Sequence, residues 1–293
     1  MIVVKLMGGL GNQMFQYAFG KYLAHKHQTD LKLDISFLHN RKVKTKNHVY
    51  RNYDLDIFEL TPQFASAKEV DKLTTYFSNR YLHFVAKKLM GNTKAHVYEV
   101  DMSFMPMAFN SPDNVYLEGY WQSEKYFKPV FEILKNDFMI KGDMPDDVKF
   151  LSEKILSSQA VCINVRRGDF LVNSTHGVCS PEYYYKAEQE ILSNYPDATF
   201  FVFSDDIAWC IENLKFSVST NFVQHSYAGN KFKWDFYLMT QSKHFIIANS
   251  SFGWWGAYLA KHADKMVIAP GKWVQNDRLY NADIYPENWI TII

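Results

Sequence analysis

The feature that most constrains this chain is a regular alternation of strand and helix signals through its second half. Four apolar runs rich in β-branched and aromatic residues recur: AVCINV (160–165), TFFVFS (199–204), FIIAN (245–249) and MVIA (266–269). Helical segments separate them. One opens at Ser180-Pro181, with Ser as N-cap and Pro at the first helical position, and ends before Pro196. A short helix follows Asp205-Asp206, a weaker strand lies near Phe222-Val223, and further helices span about 234–243 and 252–262. Apolar runs without polar alternation belong to parallel strands buried on both faces, so helices must cover both sides of an open sheet. The first half opens the same way: strand 1–6, a turn at Gly8-Gly9-Leu10-Gly11, a helix over about 12–25, and strand Leu31–Asp34. The expectation is α/β, two Rossmann-like domains facing a cleft, with boundaries 1–155 and 156–293. Between 40 and 155 the pattern is weaker: helical periodicity over 66–90, then an aromatic, Pro-punctuated stretch over 100–130.

Charge and cysteine usage narrow the function classes. Lys+Arg 32 against Asp+Glu 31 leaves no cationic surplus for a dedicated nucleic-acid binder. Cys162, Cys179 and Cys210 form neither a CxxC pair nor a zinc-spaced cluster, which predicts a reducing compartment and no disulfide framework. The opening MIVVKLMGGLGN lacks signal-peptide character, and no run of 18 apolar residues occurs, so a cytoplasmic address is expected. Aromatic residues make up 17%, which suits carbohydrate-binding faces and ordinary cores alike.

In parallel sheets, ligands bind beyond the carboxyl ends of strands, at helix N-termini. Four such ends carry chemistry: GGLGNQ (8–13), NVRRGD (164–169), SDD (204–206) and NSSFGWW (249–255). The first contains G-x-G after a strand, but the third glycine of a dinucleotide fingerprint would fall at Met14, which counts against an NAD-linked oxidoreductase. Its glycines would admit a ligand to the backbone, with Asn12 and Gln13 offering donors and acceptors; the competing role is a tight turn capped by Asn12. Arg166 and Arg167 sit at a strand end, where neighbours point to opposite sides, so one guanidinium faces the ligand and the other braces a loop. Asp169 can hold an arginine or bind a hydroxyl, and a purely structural Arg–Asp pair is the alternative. Ser250 and Ser251 open a helix and offer hydroxyls and N–H groups to an anion, or serve only as N-caps. Asp205 and Asp206 do not share one face and lack a D-x-D pattern, which argues against a metal site; either could accept from guanine N1 and N2 or cap the following helix. Asp235 likewise opens a helix. The basic stretches 41–46 and 80–94 read as solvated faces, with acceptor binding or contact with an anionic membrane as alternatives. No recognisable protein nucleophile is present, a combination that favours group transfer from an activated nucleotide.

Taken together, GGLGNQMFQYAFG, NVRRGDF, FVFSDD and DFYLMTQSKHFIIANSSFGWWGAYLA resemble the bacterial α1,2-fucosyltransferases of glycosyltransferase family 11, in order and spacing, from the first residue to about 270. The resemblance implies a GT-B fold and inverting, metal-independent transfer of L-fucose from GDP-β-L-fucose to the 2-hydroxyl of a terminal galactose, with GDP-fucose as a substrate and no cofactor. It implies that Arg166 holds the β-phosphate, Arg167 supports the site, Ser250, Ser251 and Phe252 cradle the diphosphate, and Asp205 or Asp206 meets guanine. Gly11, Asn12 and Gln13 would lie on the sugar and acceptor side. For the acceptor proton Asp169 is a candidate base, and no residue is committed to that role by its pattern. At position 164 the family usually carries His; here Asn164 stands, so altered donor affinity is expected. The acceptor would be a galactose-terminated oligosaccharide or a lipid-linked glycan, in O-antigen or surface polysaccharide synthesis. A lipid-linked acceptor would bring the enzyme peripherally to the inner membrane. Another linkage, or a non-catalytic nucleotide-sugar or glycan-binding module, are the alternatives.

Overall fold

The computed structural model describes residues 1–40, 49–75, 77, 79–91, 93–172, 177–275 and 283–293. The basic run 41–46 lies outside the described residues. The chain divides into two compact units, Met1–Met139 with Asn281–Ile284, and Ile140–Tyr280 with Tyr285–Ile293. The division falls at 139/140 and not at 155/156 because the helix Asp146–Leu156 packs against the later helix Lys233–Thr240.

The first unit is built as β1 (Ile2–Lys5), α1 (Leu10–His27), β2 (Leu31–Asp34), α2 (Ser36–His39), β3 (Gln63–Phe64), α3 (Ala67–Thr74), α4 (Arg80–Met90), β4 (His96–Tyr98), α5 (Pro106–Phe109), β5 (Val115–Glu118) and α6 (Phe131–Asp137). Its strands form one parallel sheet in the order β3-β2-β1-β5-β4. Ile2, Val3 and Val4 of β1 are fully buried, as a central parallel strand requires. The expected helix at 12–25 begins two residues earlier and runs two further. The periodic stretch 66–90 is two helices: α3, with a Ser66/Glu69 capping box, and α4, capped by Asn79. Strands β3, β4 and β5, of two to four residues, were not anticipated.

The second unit runs α7 (Asp146–Leu156), β6 (Ala160–Val165), α8 (Pro181–Asn194), β7 (Thr199–Ser204), α9 (Ile207–Asn213), β8 (Thr220–Phe222), α10 (Lys233–Thr240), β9 (His244–Ile246), α11 (Ser251–Leu259), β10 (Val267–Pro270) and β11 (Ile290–Ile292). All six strands are parallel, in the order β11-β10-β9-β6-β7-β8. Every residue of β6 is buried, so both faces of the sheet are covered. β6 and β7 end where the apolar runs end. Ser180 occupies the N-cap of α8 but makes no capping bond through its side chain. The edge strand β11 lies beyond the last periodic segment, and the Trp289 just before it packs against Trp254 with ring centroids 5.3 Å apart. Trp254 and Trp255 are both fully buried core residues. The three cysteines are unpaired. No described helix is long and apolar enough to cross a membrane.

One buried carboxylate fixes the turn after β5. Glu99 accepts from the backbone N–H groups of Tyr120 (2.6 Å) and Trp121 (2.9 Å). Trp121 has φ +56°, a conformation that costs a bulky residue energy and persists only where its surroundings impose it. Its ring is fully buried, 5.0 Å from Phe19 and 5.5 Å from Tyr126. Burial pushes the Glu99 carboxyl up to about 7. Between its ordinary range and that value, the folded chain keeps a proton that the unfolded chain has lost, so raising the pH favours unfolding. Urea denaturation at pH 5 and pH 8 should show wild type losing on the order of 3 kcal/mol relative to Glu99→Gln as pH rises through this window. Parallel pH profiles for the two proteins would refute the assignment.

Candidate functional site

Strand order singles out a candidate site in the second unit. From β6 the chain builds outward through β7 to β8, then returns to place β9 on the other side of β6 and continues to β10 and β11. Beyond the carboxyl ends of β6 and β9 the connections diverge, which opens a crevice where doubly wound sheets bind ligands. NVRRGD leaves β6 there and NSSFG leaves β9. The N–H of Ala248 donates to the Asn164 carbonyl (3.0 Å), joining the two segments beyond the regular ladder.

Both arginines are held by carboxylates. Arg166 donates through Nη2 to Asp169 Oδ1 (2.6 Å), and its Nη1 lies 3.1 Å from Asp205 Oδ2. Asp205 Oδ1 also accepts from the N–H of Arg167 (2.9 Å). A Cβ at Gly168 would collide with Asp205 Oδ2, so only glycine lets this carboxylate close onto Arg166. Arg167 turns the other way, as alternation at a strand end requires. Its Nε donates to Asp206 Oδ2 (3.2 Å), and its guanidinium stacks 3.6 Å over the Trp209 ring. Asp206 also caps α9, accepting from the Trp209 N–H (3.3 Å). Asp205 and Asp206 thus both engage arginines, and Asp206 is the more open, with 35% of its side chain exposed against 17%.

The start of α11 completes the set. Ser250 is its N-cap residue but makes no capping bond through its side chain, so a capping role does not account for it. Phe252 packs edge-on against Phe236 at 5.3 Å, fixing the first turn. Asn164 is buried, its Oδ1 has no hydrogen-bond partner, and its carboxamide presses on Gly253, where a Cβ would stand 2.8 Å from Asn164 Cγ. An unsatisfied buried acceptor is costly, and here it lies packed against the first turn of α11. Asn249, expected only as part of this motif, ties the loop down by donating to the Trp273 carbonyl (3.1 Å). Asp235 is not a cap: it lies in the first turn of α10, buried, with Oδ1 unpartnered and its carboxyl pushed up to about 7 by burial.

The glycine motif of the first unit does different work from that expected. The helix begins at Leu10 with Gly9 as N-cap, so Asn12 lies inside the first turn. Gly8 has φ +76°, and the space a Cβ would fill there is taken by the Asn12 side chain, not left for a ligand. Asn12 Oδ1 accepts from Gln122 Nε2 (2.8 Å), linking β1 and β5 ends. Gly11 and Gln13 are buried. Gln13 donates to the carbonyls of Gly8 (2.9 Å) and Asn52 (2.8 Å) and accepts from the Asp54 N–H (2.9 Å), so it anchors residues 52–54 and presents nothing to a ligand. The Arg51 guanidinium, beside the anchored segment, lies 3.9 Å from where a Gly9 Cβ would stand. Neither Arg51 nor Gln122 was singled out from sequence; both depend on pairings that no local pattern encodes.

The sequence profile of glycosyl transferase family 11 matches residues 1–293. An alpha-1,2-colitosyltransferase of Escherichia coli is 32% identical, covering 99% of this chain and 98% of its own. The O-antigen biosynthesis glycosyltransferase WbnK of Escherichia coli is 29% identical over 98% of this chain and 99% of its own. The galactoside alpha-(1,2)-fucosyltransferase 1 of Rattus norvegicus is 28% identical over 86% and 62%. Among solved structures, the fucosyltransferase NodZ from Bradyrhizobium superposes with TM-score 0.52 at 13% identity, covering 88% of this chain and 91% of that one. POFUT1, solved with GDP-fucose, gives 0.50 at 12% identity over 91% and 96%. The fold is therefore GT-B-like, and the chain belongs to glycosyl transferase family 11.

Proposed function

We propose that this glycosyltransferase moves L-fucose from GDP-β-L-fucose to the 2-hydroxyl of a terminal galactose, with inversion and without a metal, in the assembly of an O-antigen or other surface glycan. The observation that carries this reading is the placement of Arg166 and the start of α11, which lacks a side-chain cap, on the two neighbouring strand ends beside the reversal of strand order. A nucleoside diphosphate leaving group suits that pair: a planar cation for one phosphate, and helix N–H groups with the Ser250 and Ser251 hydroxyls for the other. Asp169 and Asp205 hold the Arg166 guanidinium in place before the donor arrives, so little reorganisation remains for the reaction.

Breaking the fucose–phosphate bond puts positive charge on the sugar and negative charge on GDP. Arg166 and the helix terminus stabilise the latter where it develops. The acceptor hydroxyl then attacks the opposite face and loses its proton late; Asp169, the candidate carboxylate, is paired to Arg166 at 2.6 Å and receives that proton only where the pair opens. Arg167 holds Asp206, whose more open carboxylate is assigned to guanine N1 and N2. A second reading has a specific support: the E. coli colitosyltransferase matches along nearly the whole chain. Colitose is fucose without its 3-hydroxyl, so the same machinery would serve either donor.

The reading is tested by GDP release from GDP-fucose in EDTA with and without lactose. Lactose-stimulated release is expected; GDP binding without release from either GDP-fucose or GDP-colitose would favour the binding-module alternative. Arg166→Ala should lower turnover by about a hundred-fold or more while leaving the thermal melt in place. Retention of more than about a tenth of wild-type turnover, a loss under ~1.4 kcal/mol, would remove Arg166 from its role. Gly168→Ala should push Asp205 off Arg166 and lower kcat by roughly ten- to a hundred-fold with the chain still folded; an unchanged kcat would show that this pairing does not position the arginine.

A further inference from the structure

The helix α4 is inverted relative to an ordinary surface helix. Of its eleven residues, only Ala86 is buried. Tyr81, Leu82, Phe84 and Leu89 stand out at 74%, 50%, 65% and 78% exposure, and Phe77 just before the helix at 50%. At 100° per residue, Phe84, Lys88, Tyr81, Val85, Leu89 and Leu82 follow one another around an arc of roughly 160° that is exposed except at the half-buried Val85. A soluble helix turns such an arc inward. One flank is cationic, with Arg80 and Lys87 beside the Phe84 end of the arc and Lys88 within it, and Lys72 and Lys94 lie before and after the helix in sequence. Between Asp71 and Glu99 no acidic residue occurs, although the whole chain is nearly balanced at +1.

We propose that α4 is a bilayer-docking helix that lays Tyr81, Leu82, Phe84 and Leu89 into the interface of an anionic membrane, with Arg80, Lys87 and Lys88 at the headgroups. Charge selects this occupant. A second copy meeting the face about a two-fold axis would set these cations against themselves, whereas an anionic lipid surface complements them. Eleven residues reach about 16 Å, far short of a bilayer's core, so the helix lies on the surface. Lysine stems can lie along the apolar face while their ammonium groups stay in the headgroup layer. The inference does not depend on the donor or linkage proposed above.

The test is co-flotation of the full chain with vesicles of phosphatidylcholine alone and with about 30 mol% phosphatidylglycerol. Binding to the anionic vesicles at least about ten-fold above the neutral ones is expected, weakening steeply between about 0.05 and 0.5 M NaCl. The pairs Phe84→Ser/Leu89→Ser and Lys87→Glu/Lys88→Glu should each reduce that binding about ten-fold or more, with circular dichroism and GDP binding unchanged. The proposal is overturned by absent binding to anionic vesicles, by binding that neither pair alters, or by a wild-type dimer in light scattering that Phe84→Ser dissolves. The last result would give the face to a second copy.

Discussion

The second unit depends on the point where its chain changes direction beside β6. With β7 on one flank and β9 on the other, two loops distant in sequence emerge at adjacent strand ends, and the Ala248 N–H bond to the Asn164 carbonyl holds them together. Arg166 on one loop and the first turn of α11 on the other follow from this arrangement. Neither loop alone could assemble the pair, because a cation and a helix terminus must be fixed independently to be preorganised.

Charge balance then shapes the site. Two arginines share three aspartates within NVRRGD and SDD, so neither guanidinium stands uncompensated before a donor enters. Arg166 pays for this order in reduced field, which the helix start and its hydroxyls must supplement. Arg167, stacked on Trp209 and tied to the cap of α9, transmits position from one loop to the next. The alternation of adjacent residues at a strand end accounts for this division of labour.

Legibility in the sequence followed burial. β6 and β7 could be read to the residue because apolar runs buried on both faces leave no ambiguity of period, and NVRRGD and SDD at their ends could be located for the same reason; β2, Leu-Lys-Leu-Asp, was legible by its alternation. The short strands β3, β4 and β11 carry two or three residues each, too few to show a pattern, and the three-residue β8 showed only weakly near Phe222. Side-chain duties were less legible than positions. Gln13 and Asn12 look alike in GGLGNQ, yet one is sealed by three backbone partners and the other fills the space beside Gly8. Such roles depend on residues 52–54 and 122, which only the folded sheet brings near.

The placement of residues 283–292 bears on biosynthesis. Asp283 accepts from the Phe104 N–H in the first unit, while Trp289 and β11 complete the core and sheet edge of the second. Neither unit has its full set of contacts until this late segment has left the ribosome. Vectorial synthesis therefore delivers the last residues of the first unit only just ahead of the last residues of the second, even though the first is encoded almost wholly upstream. A chain interrupted just short of this segment would leave the first sheet complete but without its Asp283 contact, and the second sheet without its β11 edge.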